Sequence, residues 1–255
     1  MLHTEKDVPK AQFRLALIGK PLMRKSSIAA HFPKPGFLDV DQNISRIMQH
    51  YPTVAVRWAQ PQLDDQGKRV AANAVWPRAR SLINELINSP DVGTIVIDSM
   101  SALQEHIIDW ILDQPVTGKM RPLVISGIKV LNQEQYRPFQ DQVLTLISDV
   151  ASAGKPAIFI FHEQEVRNEA GNLELIQPLL TSSLRHSVAR VFTDVWRVSH
   201  KMCAVDAKHP QGVSYHVQTA PLPLMPSLGT SGALPVQFEF DWAVIEKGLP
   251  WLKSL

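Results

Sequence analysis

Residues 14–32, RLALIGKPLMRKSSIAAHF, read as a buried strand, a short loop and the opening turns of a helix. Arg14 to Ile18 supplies the apolar run, Gly19 opens the loop, Lys25 and Ser26 close it, and Ile28, Ala29 and Phe32 recur at helical spacing. Strand, loop and helix in that order are the context a phosphate-binding loop needs. Backbone N–H groups at a helix start carry partial positive charge and favour an anion. Lys25 is placed to reach the β- and γ-phosphates of a nucleotide, and the Ser26 hydroxyl to ligate Mg²⁺. The candidate cofactor-binding residues are Gly19, Lys20, Arg24, Lys25, Ser26 and Ser27. One position departs from the pattern G-x-x-x-x-G-K-[ST]: the second glycine is Arg24. Glycine there lets backbone approach phosphate without a Cβ, so Arg24 must tolerate the geometry, add its own charge to the phosphates, or close the loop.

A second stretch reinforces the first. Ile95-Val96-Ile97-Asp98 is an apolar strand run ending in a carboxylate. Ligands of parallel sheets bind at the carboxyl ends of the strands, so Asp98 is expected beside the loop as a candidate metal residue with Ser26. Asp98 also fits a helix N-cap, since Ser99 and a helical pattern follow.

Length and composition bound the rest. The 255 residues suffice for one large domain, and 45% hydrophobic with 20% charged residues is ordinary globular material. A net charge of +2 neither demands nor excludes nucleic acid, because only a local patch would matter. The single cysteine, Cys203, excludes an internal disulfide and fits a reducing cytoplasm. MLHTEKDVPKAQ has no signal-peptide character, and no stretch approaches the ~20 apolar residues of a membrane span, so no membrane partner is expected. His200, His209 and His216 lack metal-ligand spacing.

Helical patterns alternate with β-rich runs, which predicts an α/β fold with a mostly parallel central sheet and β-rich closing strands. PGFLDVDQN (35–43), TVAVRWA (53–59), VGTIVIDSMSAL (92–103) and AIFIFHE (157–163) are the expected strands. Ala79, Leu82, Ile83, Leu86 and Ile87 mark one helix face, and Phe139, Val143, Leu146, Ile147 and Val150 another. Residues 113–135 lack a sustained period and read as a long surface segment. The expected organisation is a core over 1–219, a flexible proline-rich link over 220–235, and a C-terminal strand and helix over 236–255 that pack on the core.

The ordered set ALIGKPLMRKSS, FPKPGFLDVDQ, TIVIDSMSAL, YRPFQDQVLTLISDVASAGKP and AIFIFHE resembles the phage-encoded RecA-like ATPases over about residues 13–200. The resemblance implies a RecA-like P-loop NTPase core that binds ATP and Mg²⁺ and assembles head to tail as a homo-oligomeric ring or filament. It implies action on single-stranded DNA in recombination or annealing, in the host cytoplasm, beside a phage annealing or single-strand-binding protein. Lys25 and Ser26 match the family's phosphate and magnesium positions, and Asp98 its Walker B acid. Asp41 falls where the family has an acid after its second strand, often glutamate; Asp64 and Asp65 are alternatives for positioning the attacking water. His162 matches a residue that senses the γ-phosphate and passes its state to a DNA-binding loop, here 163–183. The candidate catalytic set is therefore Asp41, Asp65 and His162, with Arg167, Arg185, Arg190 and Arg197 as sources of a finger reaching a neighbour's nucleotide. Arg24, together with aspartate in place of glutamate at 41, leaves open a degenerate relative that binds nucleotide and serves as an oligomeric scaffold or regulator without hydrolysis.

Overall fold

The computed structural model describes residues 13–50, 56–115, 121–181, 184, 190–207 and 209–254. Its centre is a sheet in the order β11-β10-β9-β1-β7-β4-β2-β3, with β8 paired to the far end of β7. These strands are β1 (Arg14–Gly19), β2 (Pro35–Asp39), β3 (Arg57–Ala59), β4 (Thr94–Asp98), β7 (Ala157–Arg167), β8 (Leu173–Pro178), β9 (Asp194–Met202), β10 (Val213–Gln218) and β11 (Gln237–Glu239). From β9 through β3 every neighbouring pair is parallel, while β9–β10 and β10–β11 are antiparallel. The expected fold class is thus the observed one: a mostly parallel central sheet flanked by helices, with antiparallel strands near the C-terminus. Of the strand expected over 53–59, residues 57–59 form β3 and 53–55 lie outside the described residues.

The central strands are continuous apolar runs because helices cover both faces. Side chains alternate between two cores. On one side Ile18, Leu38, Ile97, Phe159 and Phe161 pack with α3 (Ala72–Asn88), α4 (Met100–Leu112) and α5 (Gln133–Ala151) through Trp76, Ile83, Leu103, Phe139 and Val143. On the other, Leu15, Leu17, Phe37, Val96, Ile158 and Ile160 meet α1 (Lys25–Ala30), α2 (Ile44–His50) and α6 (Trp242–Gly248) through Ile28, Ile44 and Ile245. A capping box starts α5: the Asn132 side chain accepts from Gln135 N–H at 3.0 Å, and the Gln135 side chain accepts from Asn132 N–H at 3.0 Å. No described helix is long and apolar enough to cross a membrane.

Two segments differ from their sequence expectation. Within 113–135 stands a two-stranded hairpin of β5 (Leu123–Ile125) and β6 (Ile128–Val130). Its turn residues Ser126 and Gly127 have φ 51° and 81°, the left-handed pair that suits a two-residue hairpin. Strands of three residues are too short for a period of two to register.

Residues 220–235, expected as a flexible link, are stitched to the sheet. Met225 and Leu228 are buried, and Gly229 bridges to Val195 of β9. The fully buried Asp194 accepts from Thr230 Oγ1 and Ser231 N at 2.8 Å and from Ser231 Oγ at 2.7 Å. Removing that carboxylate orphans three donors at once, so Asp194→Ala should cost about 3 kcal/mol of stability. It should also expose 220–235 to limited proteolysis; urea unfolding and a protease time course measure the two effects.

Candidate functional site

The loop after β1 is fixed by close backbone approach at one end and by a strained residue at the other. A Cβ on Gly19 would sit 2.6 Å from the Val198 carbonyl oxygen of β9, so only glycine lets β9 pass. At the far end Arg24 caps α1 with φ 58° and ψ 20°, a left-handed conformation that costs most side chains about 1–2 kcal/mol. The position that in the motif belongs to glycine therefore keeps glycine's backbone shape with an arginine in it. The Arg24 guanidinium lies 4.2 Å over the Tyr215 ring of β10, which holds the loop to the edge of the sheet.

Lys25 turns inward. Its ammonium donates to the carbonyl oxygens of Gly19 and Lys20, both at 2.7 Å, and the residue is only 5% exposed. Burial pushes its pKa down to about 8 against the opposing pull of Asp98, Asp41 and Glu163. Asp98 closes β4, is 3% exposed, and accepts a hydrogen bond from the Ser26 side chain. Burial pushes its carboxyl up to about 7; Ser26 and Lys25 pull it down, while Asp41 and Asp39 add to the rise. A buried carboxylate, a hydroxyl on it and an ammonium beside both are a donor set that fits a divalent cation shared with phosphate. Ser26 and Asp98 would hold Mg²⁺, which would draw charge from the phosphates, and Lys25 would bind the phosphate oxygens.

The structure separates the three candidate acids. After β2 the Val40 and Asp41 N–H groups both donate to the Asp98 carbonyl, at 2.6 and 3.1 Å, which sets Asp41 beside Asp98. Its carboxylate oxygens lie 3.0 Å from His162 Nε2 and 3.1 Å from the donating Ser99 hydroxyl. His162 stands on β7 directly opposite Gly19, and its own N–H donates to Ser101 Oγ at 3.0 Å. With Nε2–H donated to Asp41, the buried Nδ1 keeps a lone pair that no described residue satisfies. Asp65, by contrast, is solvated and paired with Arg78 at 2.6 Å, outside the cleft. Asp64 accepts from the Gln66 and Lys68 N–H groups at 2.9 Å and builds a turn. Asp39, two residues before Asp41, is spent on the first N–H groups around α2 and on the Gln60 side chain.

Lys25, Ser26, Ser27, Arg24, Asp41, Asp98 and His162 line one cleft of about 540 Å³. Lys20 points its ammonium away to Glu165 at 2.5 Å and offers the site only its carbonyl. Among the candidate fingers, Arg197 is bound to the buried Glu163 at 3.0 Å and Arg167 to Glu165 at 2.6 Å. Arg190 is exposed, and Arg185 lies outside the described residues. The sequence reading missed Tyr215 and Gln211, which also line the cleft. They lie some 190 positions along the chain from Arg24, on a hairpin with no motif of its own, and the cue available was an aromatic in an expected closing strand.

The raised Asp98 predicts a pH signature. The folded chain holds this proton up to about pH 7, whereas the unfolded chain releases it in the usual carboxylate range. Between those limits the folded state binds more protons, so this group lowers stability as pH rises. Asp98→Asn should therefore melt above the wild type by a margin that grows from pH 5 to pH 8, reaching a few degrees at pH 8, as calorimetry in the absence of nucleotide would show.

A loop on a central strand, a buried lysine with a serine after it, and an acid closing a strand one place beyond β1's neighbour make a candidate nucleotide-phosphate site. Residues 11–227 match the AAA domain family. No curated protein matches the chain. With more than four-fifths of its length inside that match and the P-loop geometry in place, the chain belongs to the AAA domain family of P-loop NTPases.

Proposed function

We propose that the protein is a magnesium-dependent ATP hydrolase of the RecA-like type that acts on single-stranded DNA in phage recombination or annealing. The observation that carries hydrolysis is the Asp41–His162 pair at 3.0 Å in the same cleft as Lys25, Ser26 and Asp98. Phosphoryl transfer to water asks for positioning and charge stabilisation more than covalent chemistry. Lys25 neutralises the transferred phosphoryl group, Asp41 orients the attacking water, and His162 faces the γ-phosphate from the adjacent strand. His162 also reports outward: its carbonyl accepts from Leu179 N–H at 2.7 Å, and β7 runs on from it into the β7–β8 hairpin. A shift at His162 therefore moves both ends of that hairpin.

The part of the reading that concerns DNA rests on the family resemblance and on charge. The described part of 163–183 carries Glu163, Glu165, Glu169 and Glu174 against Arg167, which is a poor surface for a phosphate backbone. The β5–β6 hairpin carries Lys129, has Arg121 two residues before it and no acid, and exposes Leu123, Val124, Ile125 and Ile128. Strand contact belongs on this hairpin, with β7–β8 acting as the relay. Head-to-tail assembly into a ring or filament, an annealing-protein partner and a place in the host cytoplasm complete the reading; these follow from the resemblance. The second reading, a nucleotide-binding scaffold without hydrolysis, is favoured by the left-handed Arg24 in the glycine place.

Steady-state turnover with Mg-ATP separates the two. Hydrolysis that rises with single-stranded DNA and disappears in Lys25→Ala supports the first, whereas binding without turnover in any condition supports the second. In the first case His162→Ala should lower turnover at least about 100-fold while nucleotide affinity changes only a few-fold. Replacing both Arg121 and Lys129 by Ala should reduce the salt dependence of single-strand binding by about 0.7 per residue in log–log slope. An unchanged slope would place the strand elsewhere.

A further inference from the structure

The cleft has two ends, and the sheet order fixes which is which. Asp98 ends β4 and His162 stands on β7, both on one side of β1, while Tyr215 stands on β10, beyond β9 on the other side. Asp41, Asp98 and His162 gather at the first end, and Gln211 and Tyr215 line the second. A nucleoside triphosphate is a linear object. With its γ-phosphate at the acids and its β-phosphate at Lys25, its ribose and base are directed toward β9 and β10.

What stands there is suited to a base. Tyr215 offers an aromatic face, and every nucleobase has a π-face to stack on it. Gln211 offers an amide with both donor and acceptor, matched to the edge of a heterocycle. Arg24, Gln211 and Tyr215 also form the wall of a second cavity of about 230 Å³ whose other lining includes Phe240 and Ser214. In the structure the Arg24 guanidinium covers the Tyr215 ring at 4.2 Å. Arg24 is also the residue directly before Lys25, so its side chain is anchored next to the phosphates. A guanidinium binds phosphate through charge-assisted, often bidentate hydrogen bonds, which are stronger than a half-exposed cation–π contact.

We propose that the Tyr215 ring, with Gln211 beside it, is the nucleobase seat of this site, and that Arg24 leaves that ring for the phosphates when a nucleotide enters. The proposal rests on the nucleotide-binding reading above and adds the residues that hold the base. It gives a reason for arginine in a place that favours glycine. The strained backbone is kept because the side chain serves the ring in one arrangement and the phosphates in the other.

Two probes test it: Mg-ATP, and magnesium tripolyphosphate, which has the three phosphates but no ribose or base. Calorimetric affinities are measured for the wild type, Tyr215→Ala, Tyr215→Phe and Arg24→Ala, with melting temperatures as a check on folding. The expected result is that Tyr215→Ala weakens Mg-ATP at least about fivefold and leaves tripolyphosphate no weaker. Tyr215→Phe, which keeps the ring, retains the ATP affinity, and Arg24→Ala weakens both probes. Tyr215→Ala acting equally on both probes, or on neither, overturns the base seat while wild-type binding leaves the nucleotide reading standing. Arg24→Ala that changes neither affinity overturns the exchange. A wild type that binds neither probe overturns the nucleotide reading and the seat with it.

Discussion

The Lys25 ammonium and the Asp98 carboxylate are both buried at the carboxyl ends of parallel strands, and the surrounding chain is arranged to keep them there. Burial disfavours each charge, which is why Lys25 titrates near 8 and Asp98 near 7. Each is held by polar groups placed for it: two loop carbonyls for the ammonium, and the Ser26 hydroxyl for the carboxylate. Such a pair is an expensive feature in an apolar sheet, and a ligand that brings its own charges would relieve it. A magnesium-bound polyphosphate would supply anionic oxygens to Lys25 and a cation to Asp98, so its binding would satisfy both groups together.

The rest of the fold positions that pair. β7 lies between β1 and β4, which sets the spacing between the loop and Asp98 and brings His162 level with Gly19. The Asp98 carbonyl receives two N–H groups from the chain leaving β2, and so selects Asp41 to face the cleft. β9 presses its backbone against Gly19, and β10 reaches over to meet Arg24. The loop is thus braced at both of its ends by the β9–β10 side of the sheet.

Much of this was legible in the sequence because it follows from local pattern. Buried parallel strands are continuous apolar runs, and an acid at the end of such a run lies at the ligand-binding edge, so Lys25, Ser26 and Asp98 are found together where their order predicts. That Asp41 rather than Asp65 faces the cleft was not legible, because it depends on where the chain turns after β2 and which carbonyl catches it. Tyr215 was hidden for a similar reason: its place beside Arg24 is set by antiparallel pairing of β10 on β9, far along the chain. Residues 220–235 have the composition of a linker, yet Asp194, about 36 residues earlier, collects the donors of Thr230 and Ser231 and fixes the segment. The three-residue strands of the β5–β6 hairpin carry too little pattern for sequence reading to detect.

Thermal unfolding with and without Mg-ATP shows whether Lys25 and Asp98 are held for a magnesium nucleotide. A ligand that binds only the folded state at a hundredfold excess over its dissociation constant stabilises by about 2.7 kcal/mol, or about 5–10 °C for a chain of this size. The melting temperature of the wild type should rise by that order and that of Lys25→Ala should not rise at all. Equal melting temperatures for the wild type with and without saturating Mg-ATP would contradict that role for the pair.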